Sequence, residues 1–168
     1  MLKLHLVLYT RSDDMVELAL PMSFRVTFGI ISVVLIAAIL SFGMITVVPM
    51  VVTAITVLAG LYEERWIFDR ARGTVTHRYG LVFLAGKHET PFDEIESFIL
   101  SNFREVPDEQ LFSSKRALAL PSLVSLQMGL KGGRSRTIEI RANRHNSTLK
   151  ESAERISQFC GIPLEYVA

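Results

Sequence analysis

Between Val26 and Tyr62 the sequence has no Asp, Glu, Lys, Arg or His. Other absences narrow the function further. The single cysteine, Cys160, excludes an intramolecular disulfide and any Cys-rich zinc module. The four histidines, His5, His77, His88 and His145, are scattered without ligand spacing, so no metal site is read. A formal net charge of +1 gives no footprint of a nucleic-acid binder. There is no Gly-rich phosphate loop and no Ser or Cys nucleophile motif, and "KGGRS" lacks the strand–loop–helix setting of a P-loop. His88, Glu89, Asp93 and Glu94 gather in "KHETPFDE", the raw material of acid–base work. Without a nucleophile or phosphate motif beside them they read as a strand-entry turn with solvated acids. Neither an enzyme nor a cofactor is expected.

What is present is a long apolar run. As one helix, Val26 to Tyr62 would measure roughly 55 Å, against about 30 Å of bilayer hydrocarbon. Two crossings fit better than one. The turn is placed at "SFGM", where Gly43 can end a helix in the left-handed conformation and Ser41 can bond exposed backbone groups. Pro49 competes as a breaker, but a turn there leaves the second helix too short. It is read instead in that helix's first turns. The expectation is a transmembrane hairpin over residues 25–62, as helices 25–41 and 44–62. No clean small-residue cleavage site follows the apolar core, which disfavours a signal peptide. Arg11 and Arg25 precede the run, Arg65, Arg70, Arg72 and Arg78 follow it, and the turn has no charge. Both flanks are therefore expected on the cytoplasmic side of a multi-pass protein.

After Tyr62 the pattern alternates. "RWIFD", "GTVTHRYG", "LVFLAGKHETPF", "IESFILSNF", "SLVSLQMGL" and "RTIEIRA" read as about six antiparallel strands. "RYGL" reads as one hairpin turn and Gly132–Gly133 as another. Residues 104–121 read as a long loop. "NSTLKESAERISQFCG" places Leu149, Ala153, Ile156 and Phe159 or Cys160 on one helical face, which makes Cys160 a buried core thiol. Asn146 or Ser147 can cap this helix and Gly161 can end it.

The stretches "ERWIFDRARGTVTHRYGL", "TPFDEIESFIL" and "ISQFCGIPL" together resemble the bacterial pleckstrin-homology-like (PH-like) domains found beside transmembrane hairpins in small membrane proteins. The resemblance covers roughly Glu63 to Leu164. It implies an α+β domain, residues 63–168, with a curved antiparallel sheet of about seven strands capped by one C-terminal helix. It also implies a bacterial inner-membrane setting. The seventh strand is sought in residues 1–24, where Leu2, Leu4, Leu6 and Leu8 alternate in "LKLHLVLYT".

Two basic groups stand out. Arg65, Arg70 and Arg72 are read as juxtamembrane, and Lys131, Arg134, Arg136, Arg141 and Arg144 as a candidate contact with anionic lipid or with a protein partner. The function expected is a membrane-anchored binding module. The alternative is a small structural subunit or assembly factor that joins a larger complex through its hairpin.

Overall fold

A computed structural model describes residues 6–43, 46–104, 122–142 and 146–167. Among them the order is β1 (Val7–Ser12), β2 (Met15–Ala19), α1 (Met22–Phe42), α2 (Val47–Gly60), β3 (Tyr62–Asp69), β4 (Thr74–Leu81), β5 (Gly86–Pro91), a 3-10 turn (Phe92–Glu94), β6 (Ile95–Arg104), β7 (Ser122–Leu130), β8 (Arg134–Ala142), α3 (Asn146–Cys160) and β9 (Leu164–Val167). The class is α+β. The strands form two sheets, ordered β1-β2-β3-β4-β5 and β8-β7-β6-β9, rather than one sheet of about seven. Every pairing is antiparallel except β6 with β9.

The N-terminal segment supplies two strands. The strand expected to begin at Leu2 is described from Val7, and Met15–Ala19 makes the link to β3. Val16 and Leu18 alternate inward and pair with Phe68 and Trp66. One core joins both sheets and α3. It includes Leu18, Trp66, Phe68, Phe98, Leu126, Met128, Leu149, Ala153 and Ile156. Phe68 meets Phe98 edge-on at 6.1 Å and stitches sheet to sheet. Leu149, Ala153 and Ile156 recur at helical spacing and are fully buried, while Phe159 and Cys160 pack at the margin. Beyond Gly161 the chain turns back as β9. Pro163 donates nothing to that ladder, but its carbonyl accepts from Phe98 N at 2.8 Å.

The β7–β8 turn uses Gly132 and Gly133 at positive φ, as their sequence suggests. The β4–β5 turn does not sit at "RYGL". Gly80 ends in the left-handed half of φ space, at 125°, and the turn itself is residues 82–85.

α1 and α2 stand apart from this core. Among the described side chains Ser32 is the only buried residue of α1, and α2 has none. They pack on each other in opposite directions. A Cβ on Gly60 would lie 3.5 Å from Phe28 Cβ, while Ile36, Ile39 and Leu40 line a recess with Met50 and Thr53. Gly43 closes α1 at φ 62°, and Pro49 lies in the first turn of α2. α2 is shorter than the 44–62 expected. The sheet claims Tyr62, and the helix stops at Gly60.

Candidate functional site

The helices are continuations of two neighbouring strands. β2 pairs with β3, and Leu20 N donates to Glu64 O at 3.2 Å, so the ladder runs on past the end of β2. Only Leu20 and Pro21 then separate β2 from α1, and only Leu61 separates α2 from β3. Pro21, with φ fixed near −60°, starts α1 without a side-chain cap.

At this junction lies a cleft of about 660 Å³ between the outer face of β1–β3 and the first turns of α1. Alternation along the strands builds its polar wall. Tyr9 and Arg11 come from β1, Glu17 from β2 and Arg65 from β3. Ala19, Leu20, Met22 and Val26 supply an apolar floor, and Arg25 enters from α1. Glu17, 3% exposed, sits between two guanidinium groups, with Arg11 Nε at 2.6 Å and Arg65 Nε at 3.0 Å. Arg65 Nε also reaches Glu63 at 2.9 Å. These contacts are ionic rather than directional, because Arg65 Nε has no aligned hydrogen bond to either carboxylate. Arg25 has no ion pair among the described residues. Three arginines and one glutamate therefore line the cleft over an apolar floor, with Glu63 holding Arg65 from beside it. Such a surface suits an anionic amphiphile: the floor takes hydrocarbon and the guanidinium groups take a phosphate or carboxylate.

A row of cations continues from the cleft across the sheet. Arg65 lies opposite Arg78, and Arg78 opposite Lys87. Like charges directly opposed on neighbouring strands repel. Lys87 is relieved by Glu89, whereas Arg78 has no ion pair among the described residues.

The other basic residues lie elsewhere. Arg70 and Arg72 sit in the turn at the far end of β3, whose eight residues carry them about 23 Å from α2. They are not juxtamembrane if the helices mark the membrane. Gly73 in that turn accepts from Phe92 N, and Glu94 O accepts from Lys131 N. These bonds place the exposed Lys131 and Arg134 at the same distal end. Arg136 is half-buried. Arg144 lies outside the described residues, as do residues 105–121 of the expected loop.

Arg141 is not a surface contact at all. It is 7% exposed and fully engaged. Nε donates to Glu139 Oε1 at 2.7 Å and Nη2 to Glu139 Oε2 at 3.0 Å. Nη1 donates to Thr148 Oγ1 at 2.9 Å, and Nη2 also reaches Leu6 O at 2.7 Å. Leu6 N in turn donates to Glu139 Oε1 at 3.0 Å. The pair clamps the chain's entry to β1 onto β8 and α3. A bulge explains why it faces inward. The register slips between Leu126 and Gln127, leaving Ile138 without a partner and turning Ile140 outward.

The acidic cluster does not converge. His88 and Glu89 are adjacent on β5 and point to opposite faces, and Asp93 and Glu94 are exposed in the 3-10 turn. No group of three or more His, Cys, Asp or Glu among the described residues could hold a metal ion. His77 is packed flat on Trp66 at 3.8 Å and lies 4.9 Å from Tyr79. Burial pushes its pKa down to about 4, helped by Arg136 and then His88. Burial also raises the neighbouring Glu64, with Glu139 adding to the shift. The Cys160 thiol is pushed up to about 12 by burial, against a smaller opposing pull from Arg70. It is unreactive as a thiolate.

No protein-family model matches the chain, and no curated protein matches it.

Proposed function

We propose that the protein is a membrane-embedded binding module in which α1 and α2 form a transmembrane hairpin and the two-sheet domain rests on the cytoplasmic leaflet. One observation carries this reading: Met22–Ser41 is long and apolar enough to cross a bilayer, and only 6% of it is buried within the protein. Val33, Val34 and Leu40 on α1, and Val47, Val48 and Ile55 on α2, all stand exposed. Helices that are apolar all round and packed on no core need an apolar solvent. α1 measures about 31 Å and α2 about 21 Å. A full crossing by α2 therefore calls on local thinning of the bilayer and on the residues flanking the helix. Arg25, Arg65 and Arg78 at the domain end, against an uncharged tip, favour the orientation with both termini cytoplasmic.

The PH-like character of the domain is supported by two packed sheets sharing a core with a C-terminal helix. The ligand is an anionic lipid headgroup in the cleft at Arg11, Arg25 and Arg65, where the leaflet would bring it. The distal hairpin with Lys131 and Arg134 points away from the leaflet, and this position favours an acidic protein partner there.

The full chain, reconstituted in liposomes, tests the reading. Co-purification from mixed bilayers should enrich anionic over zwitterionic lipid, and a reporter fused after Ala168 should act only as a cytoplasmic one. A periplasmic signal, or no lipid preference, would sink the respective half of the proposal.

A further inference from the structure

The most exposed large hydrophobic side chains among the described residues are on neither helix. They are Phe83, 81% exposed, and Leu84, 80% exposed, at the tip of the β4–β5 hairpin. Tight turns between strands are ordinarily built from Gly, Asn, Asp, Ser and Pro. Here the turn is Val82, Phe83, Leu84 and Ala85.

Its position is fixed. Tyr62 pairs with Leu81, and Val82 N donates to Leu61 O at 3.0 Å, which ties the turn to the end of α2. Leu84 N closes it onto Leu81 O at 2.7 Å. Gly80 permits the fold-back: a Cβ there would lie 3.3 Å from Leu84 O, and its φ of 125° disfavours any side chain. The turn is thus level with Leu61. Gly60, one residue earlier, sits beside Phe28 and Gly29, a turn further into the apolar span than Arg25. The plane that admits the helices also contains the tip. Arg78 and Lys87 flank its base, and Tyr79, half-exposed, adds an amphipathic ring of the kind that favours bilayer interfaces.

We infer that Phe83 and Leu84 form a wedge that inserts into the same leaflet as the helix ends and makes a third point of lipid contact. The inference rests on the membrane reading of α1 and α2. The occupant is lipid, because the apolar tip continues the lipid-facing surface of α2 and its flanks carry the charge that anionic headgroups attract. The wedge would hold the sheet at a fixed tilt to the bilayer, with the Arg11–Arg25–Arg65 cleft facing the headgroups.

Tryptophan quenching in the full chain, reconstituted in bilayers of phosphatidylcholine and phosphatidylglycerol, tests both readings separately. Phe83→Trp probes the wedge and Val34→Trp the hairpin, with the wild type supplying the background of buried Trp66. Lipids brominated near the headgroup should quench most of the added Phe83→Trp emission, and aqueous iodide should not. Lipids brominated deep in the chain should quench Val34→Trp. Iodide quenching of Phe83→Trp, with Val34→Trp still quenched by lipid, overturns the wedge and leaves the hairpin. A Phe83→Trp signal that neither agent reaches also overturns it, in favour of a protein contact. If lipid quenches neither variant, both readings fall. Lipid quenching of Phe83→Trp alone removes the hairpin, and with it the wedge as a third contact beside the helix ends.

Discussion

Two arginine–glutamate assemblies are built from the same side chains and do opposite things. In the clamp, every guanidinium nitrogen of Arg141 has a partner, and Glu139 receives two of its bonds. In the cleft, Arg65 leans on Glu17 and Glu63 without aligned bonds, Arg11 is more than half exposed, and Arg25 stands apart. The difference is geometric saturation. A saturated buried arginine holds a structure together, whereas unsaturated ones at a cleft have capacity for a ligand.

The largest test of this contrast removes the clamp. Arg141→Leu leaves the Glu139 carboxylate buried without its main partner, and should destabilise the domain by about 3–5 kcal/mol. Denaturant unfolding of the full chain in detergent measures it. Cys160 gives a second readout: its buried, protonated thiol should react with maleimide far faster in Arg141→Leu than in the wild type. Unchanged stability and labelling would mean the clamp is ornamental.

His77, close enough to Arg136 and Glu64 to feel both sheets, gives the next effect. Its folded pKa lies below its unfolded value of 6.5, so the native state binds fewer protons between pH 6.5 and about 4. Its contribution is complete above pH 6.5 and is lost as pH falls toward 4, an amount of about 2–3 kcal/mol. His77→Phe should flatten the stability profile in that window. A profile of unchanged slope would rule out His77 as its source.

Arg25→Gln should leave stability within about 0.5 kcal/mol, yet weaken association with anionic lipid by about 1 kcal/mol. Lipid co-purification at matched salt reads this out. The smallest effect is expected for Arg70→Gln with Arg72→Gln: no change in lipid preference, because the length of β3 separates them from the helices. A loss equal to that of Arg25→Gln would erase the proximal–distal distinction.

These contrasts also mark where the sequence could be read and where it could not. The uncharged run, the Gly43 terminus, the Gly132–Gly133 turn and the buried face of α3 were legible, because each depends on local chemistry at fixed spacing. Distance along the chain places Arg70 and Arg72 with Arg65, because it ignores how far a strand carries its end. Arg141 reads as surface because a single extra residue, Ile138, inverts the faces of β8. Glycine marks turns and so points to Gly80, and an apolar tip makes sense only once α2 lies beside it. "MVELAL" did carry the alternation of β2, with Val16, Leu18 and Leu20 inward. The sequence reading expects one strand in residues 1–24, and the structure has two, β1 and β2.

The near absence of a linker between strands and helices has a mechanical consequence. Two residues on one side and one on the other leave no swivel, and hydrogen bonds at Leu20 and Leu61 run up to the junction. On the membrane reading, β2 with α1 and β3 with α2 act as a pair of stiff levers. Any change in helix tilt, such as the one that a thinner or thicker bilayer imposes, becomes a rotation of the whole sheet. The domain would then report the thickness of its own membrane to whatever it touches on the cytoplasmic side.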